Sequence, residues 1–156
     1  MTCKEKLETY LRDNEVPFQL QHHPTAYTAQ EVAQVERIPG KMVAKVVMLF
    51  ADGKTAMLAL PAPYRVDLAK AGTLLGAVDL RLAQENEFAT AFPDCEVGAM
   101  PPFGNLYGLP VYVDAALAED DTIVFQAGTH TDTMSLKYAD FERLAKPRIG
   151  EFAYLP

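Results

Sequence analysis

Met42-Val43-Ala44-Lys45-Val46-Val47-Met48-Leu49-Phe50, then Asp52-Gly53, then Thr55-Ala56-Met57-Leu58-Ala59-Leu60: this stretch decides how the chain folds. Apolar residues, several of them β-branched, fill both runs, and the Asp-Gly pair between them is a hairpin turn sequence. A central β-hairpin is therefore expected. Its one anomaly is Lys45, a charge flanked by Val43, Ala44, Val46 and Val47. A strand side chain points to one sheet face or the other, so Lys45 faces solvent or enters a cleft. As an edge-strand residue it would guard against unwanted pairing. As a cleft residue, a partly desolvated ammonium offers a fixed positive charge to a phosphate, carbonyl or ribose oxygen. The pattern alone leaves both open.

Outward from the hairpin the punctuation is clean. Thr2 with Glu5 forms a capping box, and Leu7, Tyr10 and Leu11 repeat at helical spacing, which predicts a helix over residues 3–14. A short extended piece, Val16 to Leu20, follows. Thr28 with Glu31 opens a second helix carrying Val32 and Val35, ending before Pro39-Gly40. Beyond the hairpin, Asp67 caps a helix through Leu75, Leu80 to Leu82 is a brief strand, and Glu85 to Ala91 a short helix. Strands are expected at Pro110 to Val113, Ile123 to Ala127 and Thr133 to Lys137, and a last helix from Asp140 to Ala145. With no repeat and no linker, residues 1–156 read as one α+β domain built on a mixed sheet, not a regular doubly wound one.

A chain of 156 residues with 49% hydrophobic and 22% charged residues can bury roughly 70% of its unfolded surface in one core. The net charge of −7 argues against broad binding to a polyanion, although not against recognition of one RNA end. No basic recognition helix suggests DNA. The cluster Arg143, Lys146 and Arg148 fits a solvated helix end. No run of 18 apolar residues and no apolar signal core occur, so a soluble, cytosolic protein without membrane contact is expected. Cys3 and Cys95 lie far apart without zinc-like spacing and fit a reducing compartment, so no disulfide framework is expected to organise the fold. Without a coiled-coil pattern, a monomer is the default.

Three segments carry candidate chemistry. Val97-Gly98-Ala99-Met100-Pro101-Pro102 is a loop by composition; it is either a plain connection or a rigid presentation of backbone amides to a ligand. Gly128-Thr129-His130-Thr131-Asp132-Thr133 sits between two expected strands, as a polar turn or the lining of a pocket. His22 and His23 precede Pro24; adjacent strand residues face opposite ways and no ligand-spaced partner is near, so no metal is expected. Ser135, the only serine, lies in an expected strand without a nucleophile elbow, and Cys95 between Asp94 and Glu96 has its thiolate disfavoured. Phosphate-loop and dinucleotide fingerprints are absent. Covalent catalysis is not the expectation.

The order of these features resembles the YbaK-type family, also called the prolyl-tRNA synthetase-associated or bacterial editing-insertion domain family. The residues that carry the resemblance are Val16-Pro17-Phe18 with His23-Pro24, Lys45 in its apolar strand, Gly98 to Pro102 as GxxxP, and Gly128 to Thr133 before the last strand and helix. The resemblance spans almost the whole chain. It implies a mixed, barrel-like sheet with flanking helices and hydrolysis of the ester joining a wrong amino acid to the terminal adenosine of tRNA. No cofactor is expected. By that resemblance Lys45, Gly98 and His130 stand at the chemistry, and His23, Ala99, Met100, Pro101, Pro102, Thr129 and Thr131 line the substrate pocket. The implied partner is the 3′ acceptor end of a mischarged tRNA, with a synthetase or elongation factor as a further partner. The cargo implied is a small amino acid: alanine, serine, threonine or cysteine. A catalytically silent tRNA-binding module is the alternative.

Overall fold

Thr2 accepts the Glu5 amide at 3.1 Å while the Glu5 carboxylate accepts the Thr2 amide at 3.2 Å, and this capping box starts helix α1, Cys3–Asp13. Leu7 and Leu11 of its buried face enter the main core. The structure, a computed structural model, describes residues 1–156. Strand β1 (Gln19–His22) overlaps the end of the extended piece expected over Val16 to Leu20, and Val16 itself is buried in the core. Helix α2 is Ala29–Glu36, with Thr28 accepting the Glu31 amide at 3.1 Å.

The expected hairpin is present. Strands β2 (Ala44–Ala51) and β3 (Lys54–Pro61) run antiparallel about Asp52-Gly53, with Lys45 opposite Leu60. There follow β4 (Arg65–Val66), α3 (Leu68–Leu75) capped by Asp67, β5 (Leu80–Leu82) and α4 (Glu85–Phe88). The C-terminal half holds β6 (Val111–Asp114), β7 (Thr122–Gln126), β8 (Asp132–Lys137), α5 (Tyr138–Ala145), β9 (Arg148–Gly150) and β10 (Ala153–Tyr154).

The larger sheet has the order β5-β2-β3-β6-β9, antiparallel on the β2 side and parallel from β3 to β6 to β9. A second sheet, β1-β8-β7, is antiparallel throughout, and β4 pairs with β10. The fold is the expected α+β domain with a mixed sheet. The barrel is not closed: the strands form three sheets, and a single bridge from Val43 to Val124 joins the two larger ones.

Beyond Leu49 to Ala51, strand β2 has no partner on its β5 side, so Lys45 stands on the half of the strand that is free along that edge. Both readings of Lys45 meet in this geometry. The short strands β4, β9 and β10 are not among the strands expected from the sequence. They are held partly by Asp114, buried at 4% exposure, whose Oδ1 accepts the Phe152 and Ala153 amides at 2.8 Å each. Its Oδ2 accepts the Ala116 amide at 2.9 Å.

Phe103 lies in the main core, with ring centroids 5.5 Å from Phe141, edge-on, and 5.8 Å from Phe125. Burying such a ring contributes about 1.5–3 kcal/mol. Because Phe103 directly follows Pro101 and Pro102, both buried, this core fixes the end of the Gly98 loop.

One expectation is overturned. Cys3 and Cys95 are not free thiols: they form a disulfide, with Cα atoms 4.9 Å apart across a sequence separation of 92. Sequence distance hid the contact, because the start of α1 docks on the segment before the Gly98 loop, the Cys3 amide donating to the Asp94 carbonyl at 3.0 Å. A cross-link closing so long a loop stabilises by roughly 2–4 kcal/mol. Reduction, or replacement of both cysteines by alanine, is therefore expected to lower the melting temperature by roughly 5–15 °C. A melting curve unmoved by dithiothreitol, with both thiols shown free by mass, would contradict this.

Candidate active site

Lys45 of β2 and Gly98 of the proline-flanked loop, separated in sequence, line one cavity of about 240 Å³. Met100 lines it with them, as do Tyr27, Thr28 and Ala29 at the start of α2, Ala44, Val46, Glu85 and Gln126. Lys45 is half-buried and no carboxylate pairs with it. Burial, and secondarily the Arg65 guanidinium, hold its pKa below the ordinary lysine value. A second groove, walled by Tyr64, Arg65 and Gln30, adjoins the first and shares Thr28, Ala29 and Lys45 with it. Lys45 thus stands between two compartments.

The Gly98 loop is stapled to the turn after β7. The Glu96 amide donates to the Gly128 carbonyl and the Gly128 amide to the Ala99 carbonyl, each at 2.9 Å. The His130 amide donates to the Glu96 carboxylate at 3.3 Å. Gly128 has a φ of +98°, and a Cβ there would stand 2.8 Å from Cys3, so only glycine lets α1 approach this closely.

Within the loop the amides differ. Ala99 donates to the Glu96 carbonyl at 3.0 Å, whereas the amides of Gly98 and Met100 have no partner in the protein and Pro101 and Pro102 have none to offer. Gly98 adopts φ +86°, a region costly for residues with a side chain. Two cavity-lining residues therefore carry N–H groups without a partner in the protein.

His130 packs beside this loop. Its Nε2 lies 2.9 Å from the Val97 carbonyl, which only accepts, so Nε2 carries the proton. Its Nδ1 then accepts from Gln126 Nε2 at 3.4 Å, and Tyr27 covers the ring at 5.0 Å between centroids. Both ring nitrogens are engaged.

The remaining expected pocket residues lie elsewhere. His23 is buried at 6% exposure, its Nδ1 2.6 Å from the Pro24 carbonyl and its Nε2 3.7 Å from Glu36, which also accepts from Thr133. Thr129 donates to Asp132 at 2.6 Å and accepts the Thr131 amide at 3.2 Å, so both threonines build a polar turn. Ala99, Pro101 and Pro102 belong to the loop itself but are buried and do not line the cavity. Of the basic cluster, Arg143 pairs with Asp140 at 3.4 Å, and none of the three lines the cavity. Sequence reading missed Tyr27, Glu85 and Gln126; none has a motif, and only the fold brings them together.

One group of potential metal ligands, Cys3, Asp94 and Cys95, lies within 4.8 Å, but its sulfurs are joined to each other. No helix is long and apolar enough to cross a membrane.

Known proteins are similar to this chain in sequence and in fold. A proline–tRNA ligase of Acidithiobacillus ferrooxidans is 32% identical over 106 residues, which are 67% of this chain and 18% of the ligase. The multifunctional Ser/Thr-tRNA deacylase ProXp-y of Escherichia coli is 33% identical over 94 residues, 60% of this chain and 56% of that protein. The chain thus spans under a fifth of that ligase's length and just over half of the deacylase's. A solved structure described as a candidate trans-editing enzyme for prolyl-tRNA synthetase superposes with a TM-score of 0.84 at 20% identity, covering 99% of this chain and 98% of that one, which shows a shared fold. The sequence profile described as "Aminoacyl-tRNA editing domain" matches residues 23–144, a span that contains Lys45, Gly98, Met100, Gln126 and His130, and the chain belongs to that family.

Proposed function

We propose that this chain is a trans-acting aminoacyl-tRNA deacylase that cleaves the ester between a small amino acid and the 3′ end of tRNA. The observation that carries the reading is the meeting of Lys45 with the unpartnered Gly98 and Met100 amides at one small cavity. An aminoacyl ester is already activated, so positioning a water and stabilising the developing oxyanion suffices without a protein nucleophile.

In this mechanism the two amides hold the carbonyl oxygen as it gains charge. Lys45 anchors the terminal phosphate or ribose, and the adjoining groove with Arg65 receives the nucleotide end. Water attacks the carbonyl carbon, the tetrahedral intermediate collapses, and the 3′ hydroxyl of the tRNA leaves with a proton. His130 keeps the loop in place: with both nitrogens engaged it acts as a positioning residue, and the substrate's own hydroxyl or amine orients the water.

A cavity of about 240 Å³ supports alanine, serine, threonine or cysteine as cargo. The relative named as a Ser/Thr-tRNA deacylase supports the same class. On this reading tRNA is the partner and the cytoplasm the compartment, an assignment that rests on the substrate and not on the cysteines, which are joined.

The competing reading is a tRNA-binding module without catalysis. Mixing the protein with tRNAs charged with each of the four amino acids separates them: an enzyme shortens the half-life of at least one ester, whereas a binding module retards tRNA in a gel and leaves every ester as long-lived as in buffer.

A further inference from the structure

The cavity holds two charges of opposite sign that are not paired with each other. Lys45 has no carboxylate partner, and Glu85, which lines the same cavity, takes part in no ion pair or side-chain hydrogen bond. Its neighbour in the same turn shows the contrast: Glu87 is clamped by Arg81 through two contacts of 2.8 and 2.7 Å. The Glu85 carboxylate reaches the loop, with Oε1 3.8 Å from where a Cβ on Gly98 would sit.

Gln126 adds an acceptor. Its side chain belongs to a residue only 8% exposed, and both amide hydrogens are used, one on the Ala26 carbonyl at 3.0 Å and one on His130 Nδ1 at 3.4 Å. The Ala26 carbonyl fixes the orientation of the amide, since a reversed group would set two oxygens face to face. Oε1 has no partner in the protein, yet it is not among the sealed polar atoms and so keeps access to the cavity that Gln126 lines. An acceptor that is open toward a cavity and unused by the protein can take a donor from a bound ligand.

We infer that Gln126 Oε1 and the Glu85 carboxylate form the subsite for the α-ammonium group of the aminoacyl ester. This rests on the deacylase reading and deepens it. The ligand has a cation at its amino-acid end and anionic phosphate at its nucleotide end, and the cavity offers the opposite sign at each: Glu85 and Gln126 beside Gly98, Lys45 toward the groove with Arg65. The ammonium hydrogens donate to Oε1 and the carboxylate, which turns the ester carbonyl toward the free loop amides. The subsite gives selectivity for an unmodified amine and rejects esters whose amine is blocked or absent.

The test uses three esters of one small amino acid on the same tRNA: the free amine, its N-acetyl derivative, and the 2-hydroxy acid analogue, which matches the amine in size but lacks its charge. The wild-type protein is expected to hydrolyse the free amine about 10–100-fold faster, in kcat/KM, than the hydroxy analogue. Glu85→Gln, exposed and isosteric and so harmless to the fold, should compress that preference to below about 5-fold, chiefly through KM. Gln126→Met, its folding checked by a melting curve, should do the same. Equal wild-type rates on amine and hydroxy esters would overturn the inference, as would variants that slow both esters in the same proportion. A wild-type protein inert toward all three refutes the deacylase reading itself and this inference with it.

Discussion

Lys45→Ala is expected to lower the rate of deacylation by on the order of 10²–10³-fold while the protein still folds, because one preorganised electrostatic contact in a water-poor site is worth that much. The expectation has a second half that separates function from architecture. Burial and the Arg65 charge lower the Lys45 pKa from its ordinary 10.5, which means that folding disfavours the charged form. That cost is fully present below the folded-state pKa and fades as the pH rises through it toward the ordinary value. At neutral pH Lys45→Met should therefore melt no lower than the wild type while losing activity, and the difference in stability should shrink at strongly alkaline pH. Lys45→Arg keeps the charge but replaces a compact ammonium by a planar fork, and should not restore the rate. A Lys45→Ala protein with full activity would remove the lysine from the mechanism; one that fails to fold would recast it as structural.

Gly98→Val is the second large effect, a loss of on the order of 10²-fold in kcat/KM. The reason is conformation more than collision. At φ +86° a β-branched residue is strained, while its Cβ would meet only ordinary contacts, 3.6 Å to His130 and 3.8 Å to Glu85. The loop relieves the strain by rotating, and rotation moves the free Gly98 and Met100 amides off the carbonyl oxygen. Gly98→Ala should fall between the two, since it shares the strain but adds less bulk. Steady-state kinetics on one good substrate give the comparison. Unchanged turnover for Gly98→Val would mean that the loop backbone does not approach the ester.

Much of this was legible because local rules and the fold agree. Thr2 with Glu5, Thr28 and Asp67 start helices where capping chemistry puts them, and Asp52-Gly53 turns the hairpin. Lys45 stood out because a charge interrupts an apolar strand, and Gly98 because glycine and proline together mark unusual backbone. What stayed hidden depends on long-range contact. The Cys3–Cys95 bond joins segments whose proximity no spacing reveals. Gln126 reads as an ordinary strand residue until its two donated hydrogen bonds leave Oε1 open. Glu85 reads as one acid among 21, and only the fold shows that it is unpaired and lines the cavity. In the opposite direction, Thr129 and Thr131 looked like pocket hydroxyls and instead satisfy each other and Asp132, the local bonding typical of polar turns.

The most direct measurement is the ester half-life of tRNAs charged with alanine, serine, threonine and cysteine, followed with wild-type protein, with Lys45→Ala and in buffer alone. The proposed active site predicts that the wild type shortens at least one half-life at least tenfold and that Lys45→Ala returns it close to the buffer value. Four half-lives indistinguishable from buffer in the presence of folded wild-type protein would contradict it.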